Sequence, residues 1–527
     1  MHATFEHAPA LPKLGWLAIV YHSTRSVRVA HGDLVEIHGS WFVEGVWDGD
    51  FAEGAFDATE CFFGSGGVAR DDSVVFVSSA STTDYLYYAT ADSRTFVANS
   101  LPLLLAARGD RLDPKYSGYR AINRSIVTGI RQFSREIPTR CGSVQRLMHD
   151  NLCVSAAGVK VVEKPLPPAF PTYEAYVGYL VDRYARIEAN ARDVRRASPM
   201  AILTTQSRGY DTTAVNAIAT RAARVDRAFT VTRAKVAGVF ADRERTPSTV
   251  DDDGTEICRM LGIPCIPIDR RSFETSFDDE YLYYATLDEN GDFNLRDIVA
   301  HVDDPAVLLT GTLGEVWYTE RSYDIYTRQP EALDDQLRRG DLGGHGLTEV
   351  RLAAGIVHLP LPYMGARRRR DIFAITESIA MDPWRLGNRY DRPIARRIAE
   401  ERGIPRAAFG QAKMATVVEF TPPAVPYGST LRSEYLAFLM RERILSPARQ
   451  RLLPLVHRVN GMLWFAGEGR HAWLHYLQRA ISKIRRRDFR FPLLWRHLDG
   501  KLFCYCANRR SDEMAAALPA TFVERVG

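Results

Sequence analysis

Cysteine is scarce in this 527-residue sequence: there are seven, an odd number, widely scattered and without a Cys-x-x-Cys pair. That argues against a disulfide-stapled framework and offers no zinc-ligand spacing. Cys504-Tyr505-Cys506 is too closely spaced for a tetrahedral metal pair, and its alternation predicts one face of a strand with Tyr505 on the other. Long apolar runs are also missing, since none approaches the roughly 20 residues that cross a bilayer. The stretch Met1-His2-Ala3-Thr4-Phe5-Glu6-His7 lacks the basic start and apolar centre of a signal peptide, so a cytoplasmic location is expected. Of the two common phosphate-loop signatures there is no trace at the most suggestive turn: no Gly-Lys-Ser/Thr follows it, and it holds a single glycine where G-x-G-x-x-G needs three.

What remains is an ordinary globular composition, 46% hydrophobic and 25% charged, with length enough for two or three domains. The net charge of +4 hides an asymmetry. From Leu431 onward there are 18 Lys and Arg against 8 Asp and Glu, leaving the rest slightly acidic. A basic tail of this kind suits nucleic acid, an anionic lipid surface or an anionic substrate, or is simply a solvated helix face.

Residues 1–165 read as β-rich. Trp16–Tyr21, Leu34–His38, Ser73–Val77, Tyr85–Ala89 and Thr95–Ala98 are short β-branched or aromatic runs separated by Gly, Asp and Ser, a spacing that predicts packed antiparallel sheets, sandwich-like in form. Pro165-Leu166-Pro167-Pro168-Ala169-Phe170-Pro171 reads as a stiff linker. Residues 172–425 open on a helix from Tyr173 to Arg192 and then alternate: strand at Ala201–Leu203, helix to Arg224, strand at Ala228–Thr232, helix at Thr255–Leu261, strands at Pro264–Ile268 and Ala306–Thr310. Such alternation predicts an α/β fold with a parallel, doubly wound sheet whose ligand lies at the C-terminal strand ends. Residues 426–527 read as a helical, basic C-terminal cap.

Three loops at those strand ends carry residues capable of chemistry. The first, Gln206-Ser207-Arg208-Gly209-Tyr210-Asp211-Thr212-Thr213, joins an apolar strand to a helix through a hydroxyl-rich turn, which aims backbone N–H groups and the helix dipole at an anion. The second, Asp251-Asp252-Asp253-Gly254-Thr255-Glu256, reads first as a helix N-terminus with early acids. The third, Thr310-Gly311-Thr312-Leu313-Gly314-Glu315, places two glycines and an acid after a buried-type strand. Farther on, Arg367-Arg368-Arg369-Arg370 is a run expected on a solvated surface, and Asp391-Arg392-Pro393 opens a helix with proline near its first position.

The first loop resembles the Ser-Gly-Gly-x-Asp-Ser pyrophosphate loop of the ATP pyrophosphatases, the family of asparagine synthetase, β-lactam synthetase and lasso-peptide cyclases. Ser207-Arg208-Gly209-Tyr210-Asp211-Thr212 aligns with it, one glycine having become Arg208. The third loop is similar to that family's Gly-x-x-Gly-Asp/Glu segment, and Phe409-Gly410-Gln411-Ala412-Lys413 resembles its lysine-bearing element. The stretch Leu86-Tyr87-Tyr88 through Phe96-Val97-Ala98-Asn99-Ser100 to Leu101-Pro102 looks loosely like paired strands of the family's glutaminase domain.

The resemblance implies ATP and Mg²⁺ as the bound groups. Asp211 and Glu315 would share the metal, and Ser207, Gly209, Thr212 and Thr213 would cradle pyrophosphate. Arg208 would add a phosphate contact or block the pocket. Thr310, Gly311 and Gly314 would complete the nucleotide site, Leu203 and the backbone near Thr232 would border the adenosine, and Lys413 and Asp211 would serve catalysis. The family's glutaminase nucleophile is a cysteine at the position that is His2 here, and imidazole cannot form the required acyl intermediate. The implied activity is therefore an amide-forming ligase that adenylates a carboxylate and uses ammonia or another amine. Its expected partners are small-molecule carboxylates and amines, with a protein partner or a second copy left open. A non-catalytic nucleotide-binding pseudoenzyme is the alternative, and chemistry on RNA is disfavoured by the long β-rich first part.

Overall fold

In the β-rich first part, alternate residues of two sheets turn towards each other. The computed structural model describes residues 1–235, 249–250, 252–269, 278–287, 291–302, 305–319, 335–388, 390–411, 424–466, 472–487 and 489–524. The seven-stranded sheet runs His2–His7, Ser26–His31, Trp16–Tyr21, Arg94–Ala98, Leu86–Ala91, Gly142–Leu147, Glu136–Thr139. The six-stranded sheet runs Gly158–Val162, Asn151–Ser155, Ser73–Val77, Phe62–Ala69, Trp41–Trp47, Glu36–His38. All pairings are antiparallel except that of His2–His7 with Ser26–His31. Trp16, Ala18, Val20, Val27 and Val29 share one core cluster with Phe42, Val74, Phe76, Leu152 and Val154 of the other sheet. The period of two is what a face buried on one side demands. Trp16 stacks on Phe76 at 5.8 Å and donates its indole N–H to Ser65 at 2.9 Å, so the aromatic anchor is satisfied as well as buried. Phe62–Ala69 is hard to see as a strand in sequence because it holds three glycines. Gly64 has φ +113, and a Cβ on Gly66 would lie 2.5 Å from the Phe42 carbonyl oxygen, so the neighbouring strand leaves no room for side chains.

The second part holds a parallel sheet of β1 (Ala201–Thr205), β2 (Arg227–Lys235), β3 (Cys265–Asp269), β4 (Ala306–Thr310) and β5 (Ile356–Pro360). Its order is β3-β2-β1-β4-β5, and the short strand Thr249–Val250 adds antiparallel to β2. Both faces are covered, as a parallel sheet requires. Ile202, Val307, Leu309 and Val357 belong to the large core, while Leu203, Leu308, Phe229 and Ile356 form a cluster on the opposite face. The order reverses between β1 and β4. A sheet wound this way leaves a crevice at the C-terminal ends of the two strands that flank the reversal.

The two parts are joined by buried polar groups. Arg351, on the helix Thr348–Ala354, donates to Asp84 at 2.6 Å and to both oxygens of Glu44 at 2.9 and 3.1 Å. Burial opposes the Arg351 charge, but the Asp84 and Glu44 carboxylates hold its guanidinium more firmly protonated than usual. A second link is His358 of β5, which hydrogen-bonds Thr83 at 3.2 Å through Nδ1 and Thr310 at 2.8 Å through Nε2.

α1 (Tyr210–Ala222) covers the sheet and α2 (Pro393–Glu401) packs on α1, and the chain continues through α3 (Pro447–Ala466), α4 (Ala472–Arg485) and α5 (Lys501–Ala517). The strand expected at Cys504-Tyr505-Cys506 is part of α5. Both cysteines are buried because α5 is gripped by the helices Leu101–Ala107 and Glu280–Tyr284. A second correction concerns Arg367–Arg370. Arg367 is buried, donating to the Lys164 carbonyl at 3.1 Å and to Asp335 at 3.2 Å, and Arg368 donates to the Pro167 carbonyl at 2.8 Å. Arg367 and Arg368 dock the proline-rich stretch onto the body, Arg369 is buried too, and Arg370 alone of the four is exposed as expected.

Candidate functional site

Strand β1 ends at Thr205, and Gly209 begins α1 in an extended conformation with φ −78. Gln206 N–H donates to the Phe229 carbonyl at 2.8 Å, and the next three N–H groups have side-chain acceptors. Ser207 N–H donates to the Thr212 hydroxyl at 3.1 Å, Arg208 N–H to the Asp252 carboxylate at 2.8 Å and Gly209 N–H to the Ser207 hydroxyl at 3.1 Å. The Thr213 hydroxyl donates to the Gly209 carbonyl at 2.7 Å. Behind the loop a buried set holds it in place: Thr204 donates to Asn216 at 2.6 Å, Asn216 to Gln206 at 2.7 Å, and Gln206 to Thr213 at 3.0 Å. Ser207, Arg208, Gly209, Asp211 and Thr212 are all half-buried, so the loop is shaped from within and open on its outer side.

Arg208 adopts no left-handed backbone, being absent from the residues with positive φ. A glycine is thus not demanded there by conformation. Its side chain leans on the segment after α2, donating to the Ala408 carbonyl at 3.4 Å, while its own carbonyl accepts from Gly410 at 2.8 Å.

The loop after β4 closes onto the first turn of α1, and its two glycines are the reason it can. A Cβ on Gly311 would lie 2.6 Å from the Asp211 Cβ, and one on Gly314 would overlap the Asp211 carboxylate. Leu313 between them is left-handed, with φ +70. Glu315 follows at the start of a short 3₁₀ turn.

Two buried arginines meet the two carboxylates. Arg392, which precedes Pro393 of α2, pairs with Asp211, donates to the Tyr318 hydroxyl and lies 3.9 Å over the Tyr318 ring. Burial pushes its guanidinium down to about 9, so it keeps its charge at neutral pH. Arg339 lies 3.5 Å from Glu315, and the Glu315 carbonyl accepts from Arg369 at 3.2 Å. Each pair meets through one oxygen, Asp211 Oδ1 against Arg392 Nη1 and Glu315 Oε1 against Arg339 Nε, and neither contact has hydrogen-bond geometry although all four atoms are buried.

Among the described residues no three His, Cys, Asp or Glu side chains converge as a metal cage. The donor set still fits magnesium, which is commonly held by one or two carboxylates and takes its remaining oxygens from phosphates and water. Asp211 in the first turn of α1 and Glu315 in the turn after β4 are two carboxylates of that kind, and a metal there would take the place of their arginine partners.

The remaining candidates divide. Thr310 is buried, bonded to Thr312 at 3.0 Å and to His358. Leu203 packs within the cluster on the far sheet face, and the Thr232 hydroxyl donates to the Ile268 carbonyl at 3.1 Å. Lys413 lies outside the described residues. His2 is exposed on an edge strand of the first part. Arg392, Tyr318 and Arg339 were not singled out as site residues from sequence. The one signal for them was the arginine before Pro393, read there only as a helix start. No protein-family model matches the chain, and no curated protein matches it either.

Proposed function

We propose that this protein is an ATP- and Mg²⁺-dependent ligase that adenylates a carboxylate and forms an amide. The observation that carries this reading is the closure of two loops at the sheet's point of reversal, with Asp211 under Gly314 and one carboxylate on each loop. Ser207, Gly209, Thr212 and Thr213 would surround the leaving pyrophosphate. Arg208, which leans on the Ala408 carbonyl, would turn its guanidinium to add a phosphate contact. Asp211 and Glu315 would hold the metal, which when bound neutralises charge growing on the pyrophosphate. Thr310, Gly311 and Gly314 would close the nucleotide's other side, with Leu203 and Thr232 on the strands that border the adenosine. In the first step a carboxylate oxygen attacks the α-phosphorus and the bond to pyrophosphate breaks. In the second an amine attacks the acyl carbon, AMP leaves and a proton is lost. Lys413 would stabilise charge in both steps. The amine would enter as ammonia or as a second substrate.

A non-catalytic nucleotide-binding role is the second reading. It is favoured by the pairing of both carboxylates with buried arginines and by Asp252 on the Arg208 N–H. Pyrophosphate release from ATP and Mg²⁺, measured across a panel of carboxylates, separates the two. Carboxylate-dependent release that disappears in Asp211→Ala is the expected result. ATP binding without release, in the native protein and in Arg208→Gly alike, would assign the second role.

A further inference from the structure

The most basic part of the chain is also where large apolar side chains stand in solvent. Residues 447–487 contain nine Lys and Arg against one carboxylate, Glu468, although the whole chain is only +4. Neither α3 nor α4, which pack on each other, has an acidic residue within its bounds. On α4, Trp473, Leu477 and Ile484 are exposed, with Ile484 82% accessible. Spacings of four and seven residues keep the three on one side of a helix, and Tyr476 lies beside them. The inward side is separate, formed by the buried Leu474 and Gln478. Leu452 and Leu455 give α3 an exposed pair of its own. Arg479, Lys483 and Arg485 flank the α4 stripe, and Arg486 and Arg487 follow it, all exposed.

We propose that the α3–α4 hairpin docks this protein on an anionic membrane surface. The apolar stripe enters the headgroup layer, the Trp473 and Tyr476 rings sit at its boundary and the arginines meet lipid phosphates. An amphipathic helix with aromatic and aliphatic residues on one side and Lys or Arg beside them has the composition of an interfacial helix. A second copy of the chain is a poor occupant, because it would bring an equally basic surface against this one. Nucleic acid satisfies the charge but leaves Leu477, Ile484, Leu452 and Leu455 against phosphates and water.

The test uses the full chain in flotation with vesicles of phosphatidylcholine alone or mixed with phosphatidylglycerol. Partition onto the mixed vesicles is expected to be on the order of tenfold or more tighter, and to weaken as salt rises. Arg485→Ala, Arg486→Ala and Arg487→Ala combined should weaken it by about a hundredfold. Leu477→Ser with Ile484→Ser should weaken it by roughly tenfold, because apolar burial is lost. All these side chains are exposed, so circular dichroism and the melting midpoint should match the native protein. Absence from both vesicle types would overturn the proposal, as would serine variants that float as well as the native chain. Tight binding of a short RNA duplex without flotation, lost in the arginine variants, would also overturn it and assign the surface to nucleic acid.

Discussion

Two buried arginines of this protein have opposite characters. Arg351 is sealed and complete: it grips Glu44 through two nitrogens and Asp84 through a third, and Ser65 donates to the same Glu44 at 2.6 Å. Arg392 is as deeply buried, yet its Nε lacks a hydrogen-bond acceptor, its Nη1 meets Asp211 Oδ1 outside hydrogen-bond geometry, and Asp211 keeps 24% of its side-chain surface accessible. A hydrogen-bonded interior pair fixes one packing of neighbouring elements. A pair open on one side leaves its carboxylate within reach of solvent and, on the proposed function, of a ligand.

The largest expected effect separates the two. Arg351→Ala leaves Glu44 and Asp84 buried without their cation, and should cost about 3–5 kcal/mol in urea unfolding. Arg392→Met should cost less than about 1 kcal/mol, because its carboxylate partner can reach water. Equal losses would erase the distinction.

Next comes acid. His358 lies among the sealed contacts, and burial depresses its imidazole to about 4, with His345 lowered in the same way. The unfolded chain takes up these protons near pH 6.5 and the folded one does not. Stability should therefore fall as pH drops from about 6.5 towards about 4, by up to roughly 3 kcal/mol for His358. In His358→Gln the slope over that window should shrink, His345 supplying what remains. An unchanged slope would place the sensitivity elsewhere.

At the open pair the loss is in chemistry. Asp211→Ala should lower pyrophosphate release on the order of a hundredfold or more. It also leaves the buried Arg392 charge without its carboxylate, so a stability loss of about 1–3 kcal/mol is expected beside it, and release that survives in the folded variant would make Asp211 a structural residue. Smallest of all is Arg208→Gly. Its backbone is not left-handed, so the cost should be within about 1 kcal/mol, and release should stay within roughly threefold of native.

The parallel strands were legible because Ala201–Leu203 and Ala306–Thr310 are unbroken apolar runs, each followed by a turn that only a loop tolerates. Both glycines of the second turn were visible as well, but their reason was not. It lies in the Asp211 carboxylate, about a hundred residues away in the chain. Arg392 was passed over as a site residue and Arg367–Arg369 misled for one shared cause: an arginine's ordinary place is the surface, and only tertiary acceptors such as Tyr318, Asp335 and the Lys164 carbonyl make burial tolerable. Cys504-Tyr505-Cys506 was too short a window to tell two periods apart, and α5 buries both cysteines because it is gripped from two sides. The buried hydroxyl and amide set behind the first loop, Thr204, Asn216 and Gln206, left no mark in sequence at all.

The run from Ser81 through Thr83 and His358 to Thr310 and Thr312 is an unbroken set of hydrogen bonds that begins in the sandwich and ends in the second loop of the candidate site. Its consequence is a limit on modularity. A fragment cut at the proline-rich stretch would keep every strand of the parallel sheet and the whole Ser207–Thr213 loop. It would also leave His358 without the hydroxyl it rests on and Arg351 without either carboxylate. The sandwich is thus the foundation on which the other half stands, and transplanting the ligand-facing half alone would carry away the walls without the floor.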